Sequence, residues 1–305
     1  MDFFLVILAS CIFGSNFLFN DRYQRIAGSG LRSSMVNAVI GGVIGIIALL
    51  AVNFFMNGMS FSINLFHPAA LTIAVFAAVN SIVYTVCSLR AMAIINLSLY
   101  SVFAMLGGMA LPSVLGMLIT SPETGLREPL TLAKAVCFIL IILALLFTVQ
   151  KGESSKGKIY YIGVFVLNGL SGVFSTLMKK FAYTPNQSEM DAISTGYSVA
   201  MAVFGIVIAG IVLLLVSRKE KNTVTPAAFW YAASGGGLNR VANFMLVIAL
   251  TMGMQSSIQF PIVTGVVMIA STLLCYFTPQ KPKKKDIISV VFAFFGVIAL
   301  LFIPI

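Results

Sequence analysis

The chain has 305 residues, of which 59% are hydrophobic and only 9% charged, with a net charge of +10 and a mean hydropathy of +1.03. A soluble domain of this size carries roughly a quarter of its residues charged, so a water-facing globule is excluded and the solvent is lipid. The basic excess would suggest nucleic acid in a soluble protein; here it gathers at the ends of apolar stretches, where retention on the cytoplasmic side accounts for it.

Crossing a bilayer takes about 20 mostly apolar residues. Ten stretches qualify, approximately 3–19, 33–55, 69–89, 95–118, 132–150, 159–180, 192–216, 227–249, 255–277 and 286–304. The expected fold is therefore an all-α integral membrane protein of ten transmembrane helices, multi-pass in the cell membrane, with short loops. Span 1 lacks a basic flank and a small-residue cleavage site, so it reads as a permanent span rather than a removable signal.

In chain order, span 1 carries Asn16 and span 3 carries Asn80 and Tyr84, four apart on one helical face, beside Ser81 and Ser88. Span 4 contributes Ser98 and Ser101, then Gly107, Gly108 and Pro112. Span 6 has Asn168, Ser171 and Ser175 on one face. Span 8 has Gly235-Gly236-Gly237, then Asn239, Arg240 and Asn243, and span 9 has Ser256, Gln259, Pro261 and Gly265. Polar groups in hydrocarbon need partners, so these positions mark either a cavity or interhelical hydrogen bonds. Tyr100 and Tyr197 read equally well as interfacial anchors.

Pro112 and Pro261 are the prolines lying well inside spans, and each removes a backbone hydrogen bond. With Gly107 and Gly265 nearby, they are candidate hinges, and close packing through small residues is the competing reading.

Cys11, Cys87, Cys137 and Cys275 fall on different spans without metal spacing, and His67 is the sole histidine. Neither a catalytic cluster nor a metal site is expected, no cofactor is implied, and the chain does not read as an enzyme. It also lacks a phosphate-binding loop.

Two halves share one plan. A shift of 158 places Gly14 on Gly172, Ser98 on Ser256, Gly107 on Gly265 and Ser113 on Ser271. Shifts of 159 and 160 place Asn80 on Asn239 and Gly45 on Gly205. Residues 1–150 then form one five-helix repeat and 151–305 a second. Five is odd, so the second repeat enters the membrane inverted, as in secondary transporters whose substrate site lies between the halves near the midplane.

The first span, ILASCIFGSNFLF, contains Gly14-Ser15-Asn16-Phe17, and span 4 is followed by LREPLTLAKAV with Glu128. Here the chain resembles the drug/metabolite transporter superfamily, in its EamA-like ten-helix branch. It departs from that pattern with Phe13 in place of Trp and, in the second copy, Gln280 in place of Glu. The resemblance implies ten helices, a central cavity lined by spans 1, 3, 4, 6, 8 and 9, and alternating access. It also implies cargo drawn from amino acids, sugars, nucleotide-linked metabolites or drugs, with export as the usual direction. The superfamily's small multidrug members use a first-helix glutamate; span 1 here has only Asp2 at its end, which disfavours that mode of cation antiport.

Arg240 is the sharpest feature. Trp230 and Tyr231 mark an interface, and a rise of about 1.5 Å per residue carries Arg240 close to the midplane. No acidic residue lies at that depth. Two readings follow: recognition of a carboxylate or phosphate by the guanidinium, or capping of carbonyls released by a break at Gly235–Gly237.

The expected function is secondary transport of a small polar metabolite, anionic or zwitterionic. Substrate contacts would come from Arg240, Asn239, Asn243, Asn80, Tyr84, Asn16, Asn168 and Gln259. The alternatives are a membrane-embedded lipid-modifying enzyme or an uncoupled facilitator of a neutral solute. The expected partners are a small-molecule substrate and membrane lipids. Loops after odd-numbered spans hold fourteen basic residues and those after even-numbered spans four, namely Arg127, Lys134, Lys179 and Lys180. The positive-inside rule thus places the odd loops in the cytoplasm and both termini outside.

Overall fold

A computed structural model describes residues 2–57, 63–94, 97–122, 125–132, 158–216 and 224–276, with scattered positions between 134 and 143 and between 284 and 295. Predicted spans 5 and 10, with Cys137 and Gln280, lie largely or wholly outside the described residues. Eight long helices carry the rest. They are α1 (Asp2–Ala27), α2 (Leu31–Asn57), α3 (Pro68–Ile94), α4 (Leu97–Leu118), α5 (Lys158–Phe181), α6 (Gln187–Leu215), α7 (Pro226–Thr251) and α8 (Ser256–Cys275). They correspond to predicted spans 1–4 and 6–9, and most run longer than the apolar stretches predicted.

Six of them, α1, α2, α3, α5, α6 and α8, are long and apolar enough to cross a membrane, which makes this a multi-pass membrane protein. Helix α7 falls outside that set despite its 26 residues, because its middle carries three glycines, two asparagines and an arginine. Those residues face inward. The outer surface is apolar instead, with Phe55 83% and Leu214 88% exposed, as lipid-facing positions require.

Local chemistry fixes the helix ends. Gly28, at φ 83°, follows α1, and its N–H donates to the Gln24 carbonyl at 2.8 Å, a glycine stop that a Cβ would strain. The Asn186 side chain accepts from Ser188 N to cap α6, and Thr225 accepts from Ala228 N to cap α7, with Pro226 opening that helix. Helix α8 has no such cap of its own, since Gln255 makes no side-chain bond to it.

Helices before residue 120 pack chiefly on helices after residue 157. The largest interfaces are α1 on α7, α4 on α5, α2 on α7, α4 on α8, α3 on α5 and on α6, α1 on α8, and α2 on α6. A central core collects Phe13, Phe17 and Tyr100, with Phe17 and Tyr100 edge-to-face at 5.2 Å between ring centres.

Candidate functional site

Helix α7 is continuous from Pro226 to Thr251, and no glycine of its 235–237 run has positive φ. The break that the capping reading requires is therefore absent, and with it the carbonyls Arg240 would have capped. The glycines serve proximity instead. A Cβ on Gly236 would overlap the main chain of Gly41, so the α2 and α7 backbones meet there. At Gly235 a Cβ would stand 3.2 Å from the Oδ1 atoms of both Asn16 and Asn20.

Into that space fits a network of four amides. Asn20 Nδ2 donates to Asn16 Oδ1 at 3.1 Å, and Asn16 Nδ2 to Asn239 Oδ1 at 3.3 Å. Asn243 Nδ2 donates to the Asn239 carbonyl at 2.7 Å and to its Oδ1 at 3.1 Å. Three of these were expected from the sequence. Asn20 was not, although its i, i+4 spacing from Asn16 was the available signal.

Arg240 follows directly. Its stem crosses Gly45 of α2 so closely that a Cβ there would overlap Cγ, and Nη2 lies 3.8 Å from where a Cβ on Gly205 of α6 would be. Among the described residues no hydrogen bond or ion pair reaches the guanidinium, whereas Arg25 pairs with Asp21 at 2.8 Å. The guanidinium instead borders two cavities of about 70 and 60 Å³, which share Ser81, Tyr84, Asn239 and Arg240. A third, of about 50 Å³, shares Asn168, Ser171, Ser175 and Asn243 with the second, and Phe13 borders all three. Together they trace a polar tract along the bundle. Among the described residues no carboxylate lines it.

The other expected residues take differing places. Asn80 Nδ2 clasps α5 through the Leu167 carbonyl at 2.9 Å and Ser171 Oγ at 3.0 Å, and its Oδ1 is buried without a partner. Asn168 Nδ2 donates to the Ala104 carbonyl of α4 at 2.6 Å. Gln259, fully buried, donates to the Leu246 carbonyl of α7 at 2.8 Å, leaving Oε1 unpartnered beside the third cavity. These three hold helices together while bordering or flanking the tract. Tyr84 shares a 2.7 Å hydrogen bond with Tyr100, which bonds Ser88 at 2.7 Å.

Tyr100 and Tyr197 are 1% and 2% exposed, so neither is an interfacial anchor. Tyr197 and Ser198 of α6 border the second cavity and Asn37 of α2 the first. Sequence reasoning restricted to six spans missed these two helices.

Pro112 and Pro261 lie within continuous helices. The Pro112 ring stands 2.7 Å from a Cβ built on Gly172, and one on Gly107 would overlap the Phe165 carbonyl. Gly265 is buried in α8. At Gly107 and Pro112, close packing is what the structure displays. The side chains of Ser98 and Cys275 lie outside the described residues; Cys11 is exposed and Cys87 half-buried.

At one end of the bundle Glu128 supplies the cap that α8 lacks. Its Oε1 accepts from Ser256 N and its Oε2 from Ser257 N, each at 2.8 Å. Two N–H donors and a helix N-terminus are thus met by one carboxylate. Lys134, 1% exposed, pins the same loop by donating to the Pro129 carbonyl at 3.0 Å and to Gln255 Oε1 at 2.8 Å.

Among known proteins, no family model matches the chain and no curated protein does. A solved structure described only as "Crystal structure of protein" is similar, with TM-score 0.65, covering 95% of this chain and 94% of that one at 14% identity. At that identity the likeness is one of fold alone.

Proposed function

We propose that the chain is a secondary transporter of the drug/metabolite superfamily, EamA-like branch, with ten helices in two inverted five-helix repeats. It moves a small anionic or zwitterionic metabolite across the cell membrane by alternating access, in the direction of export. The observation that carries this reading is an unpaired guanidinium at the centre of a polar tract enclosed by helices from both ends of the sequence. A fixed charge in a bilayer is costly unless solvated or paired, and arriving cargo offsets that cost.

Packing regularities support the repeat. Exchanging each helix for the one 158–160 residues away turns α1 on α7 into α5 on α3, α2 on α7 into α6 on α3, and α1 on α8 into α5 on α4. The interfaces α2 on α6 and α4 on α8 map onto themselves. Residue contacts follow the same rule: Gly14 sits 2.9 Å (from its built Cβ) from Ala270 Cβ, as Gly172 sits 2.7 Å from Pro112 Cγ. Both partners differ by 158.

Purified protein in liposomes is the test. Labelled organic acids, amino acids, sugars and nucleosides should include one that shows protein-dependent, gradient-driven uptake and counterflow, with Arg240→Gln abolishing it. Uptake no greater than in protein-free vesicles across the panel ends the proposal. Saturable flux of a neutral solute that ignores Arg240 replaces it with a facilitator.

A further inference from the structure

Four hydroxyls along the tract are already committed as donors. Ser171 Oγ donates to the Leu167 carbonyl at 3.2 Å, Ser175 Oγ to Ser171 O at 3.2 Å, Ser198 Oγ to Ser194 O at 2.9 Å, and Thr85 Oγ1 to Ser81 O at 2.8 Å. Each hydroxyl has one proton and two lone pairs, so these four turn only acceptor capacity toward the cavity. Gln259 Oε1 and Asn37 Oδ1 add buried, unpartnered acceptor oxygens at the third and first cavities. Arg240 is the charged donor of the site, with the Ser81 and Tyr197 hydroxyls beside it in the second cavity.

Its complement is therefore a ligand with one anionic group and neutral hydrogen-bond donors. An ammonium group fits poorly. Among the described residues no carboxylate lines any of the three cavities or pairs with the guanidinium, so a second cation would share a low-dielectric space with an unneutralised charge. Asn239 Oδ1, the amide oxygen next to Arg240 in sequence, already accepts from both Asn16 and Asn243.

Resting on the transport reading, we infer that the cavity takes a small hydroxylated anion and discriminates against the amino acid of the same skeleton. Gly205 sets where the charged group sits: it leaves Nη2 open, and a Cβ there meets nothing closer than 3.8 Å. Alanine at 205 fits the fold and occupies the space the anion needs.

Matched probes test this on the full-length purified protein by thermal shift. Glycerate and serine differ only at the 2-position, as do lactate and alanine, and glycerol 3-phosphate offers phosphate in place of carboxylate. Glycerate or glycerol 3-phosphate should raise the melting temperature saturably, the effective one identifying the anionic group. Serine and alanine should require at least tenfold higher concentration. Gly205→Ala should melt as the parent does yet lose the response; where it fails to fold, Arg240→Gln serves with the same expected loss. Serine acting at the concentration of glycerate, or no response to any hydroxylated anion, overturns the inference. Glycerate binding without flux in liposomes would leave it standing and sink the transport proposal instead.

Discussion

Glu128 is a carboxylate working as a helix cap in trans, and its removal has a calculable effect. Ser256 and Ser257 are 3% and 0% exposed, so water does not easily replace the lost acceptor at either N–H. Each buried donor left unpaired costs about 1–3 kcal/mol, and loss of the charge at a partly buried helix N-terminus adds up to about 2 kcal/mol. Glu128→Ala should then cost about 2–8 kcal/mol. Glu128→Gln keeps one acceptor oxygen and should cost about 1–5 kcal/mol. At about 2–4 °C per kcal/mol, the alanine variant should melt several degrees below the glutamine variant, and that variant measurably below the parent. Thiol-reactive dye unfolding in detergent reads all three. Equal melting temperatures for parent and Glu128→Ala would refute the capping argument, and equal values for the two variants would show that charge alone matters.

Arg240→Lys should weaken ligand binding because the two-pronged fork is lost while the charge stays, and Arg240→Gln should weaken it further with the melting temperature retained; a destabilised variant with unchanged affinity would assign Arg240 a structural role. Gly236→Ala forces α2 and α7 apart and should cost about 1–3 kcal/mol, whereas Gly237→Ala, whose Cβ meets nothing closer than 3.6 Å, should melt as the parent does. Positive-inside orientation predicts that cysteines placed at 283–285 resist impermeant thiol reagents in intact cells; labelling from outside reverses the assignment.

Much of the helical order was readable because a bilayer demands long apolar runs: predicted spans 1–4 and 6–9 each fall on one of the eight helices. The amides of spans 1 and 8 were readable for the same reason, since buried amides must find each other. Two things escaped. Span composition cannot distinguish a glycine that breaks a helix from one that admits a neighbour, so Gly235–Gly237 suggested a break where α7 runs through. Nor does it say whether a tyrosine near a helix end points to the interface or inward; Tyr197 points inward because the chain at 63–66 and α3 cover that part of α6.

Arg240 stands alone where the partner repeat, at the offset of 159 that pairs Asn80 with Asn239, has Ser81. On the proposed cycle this has an electrical consequence. An empty carrier then holds a positive charge within the membrane, and a carrier loaded with a monoanion is neutral there. Voltage is worth about 2.3 kcal/mol per elementary charge per 100 mV for a charge crossing the full field, so it acts on the return of the empty protein and hardly on the loaded step. Exchange of one anion for another should be indifferent to a potassium diffusion potential imposed with valinomycin, while net flux should follow it.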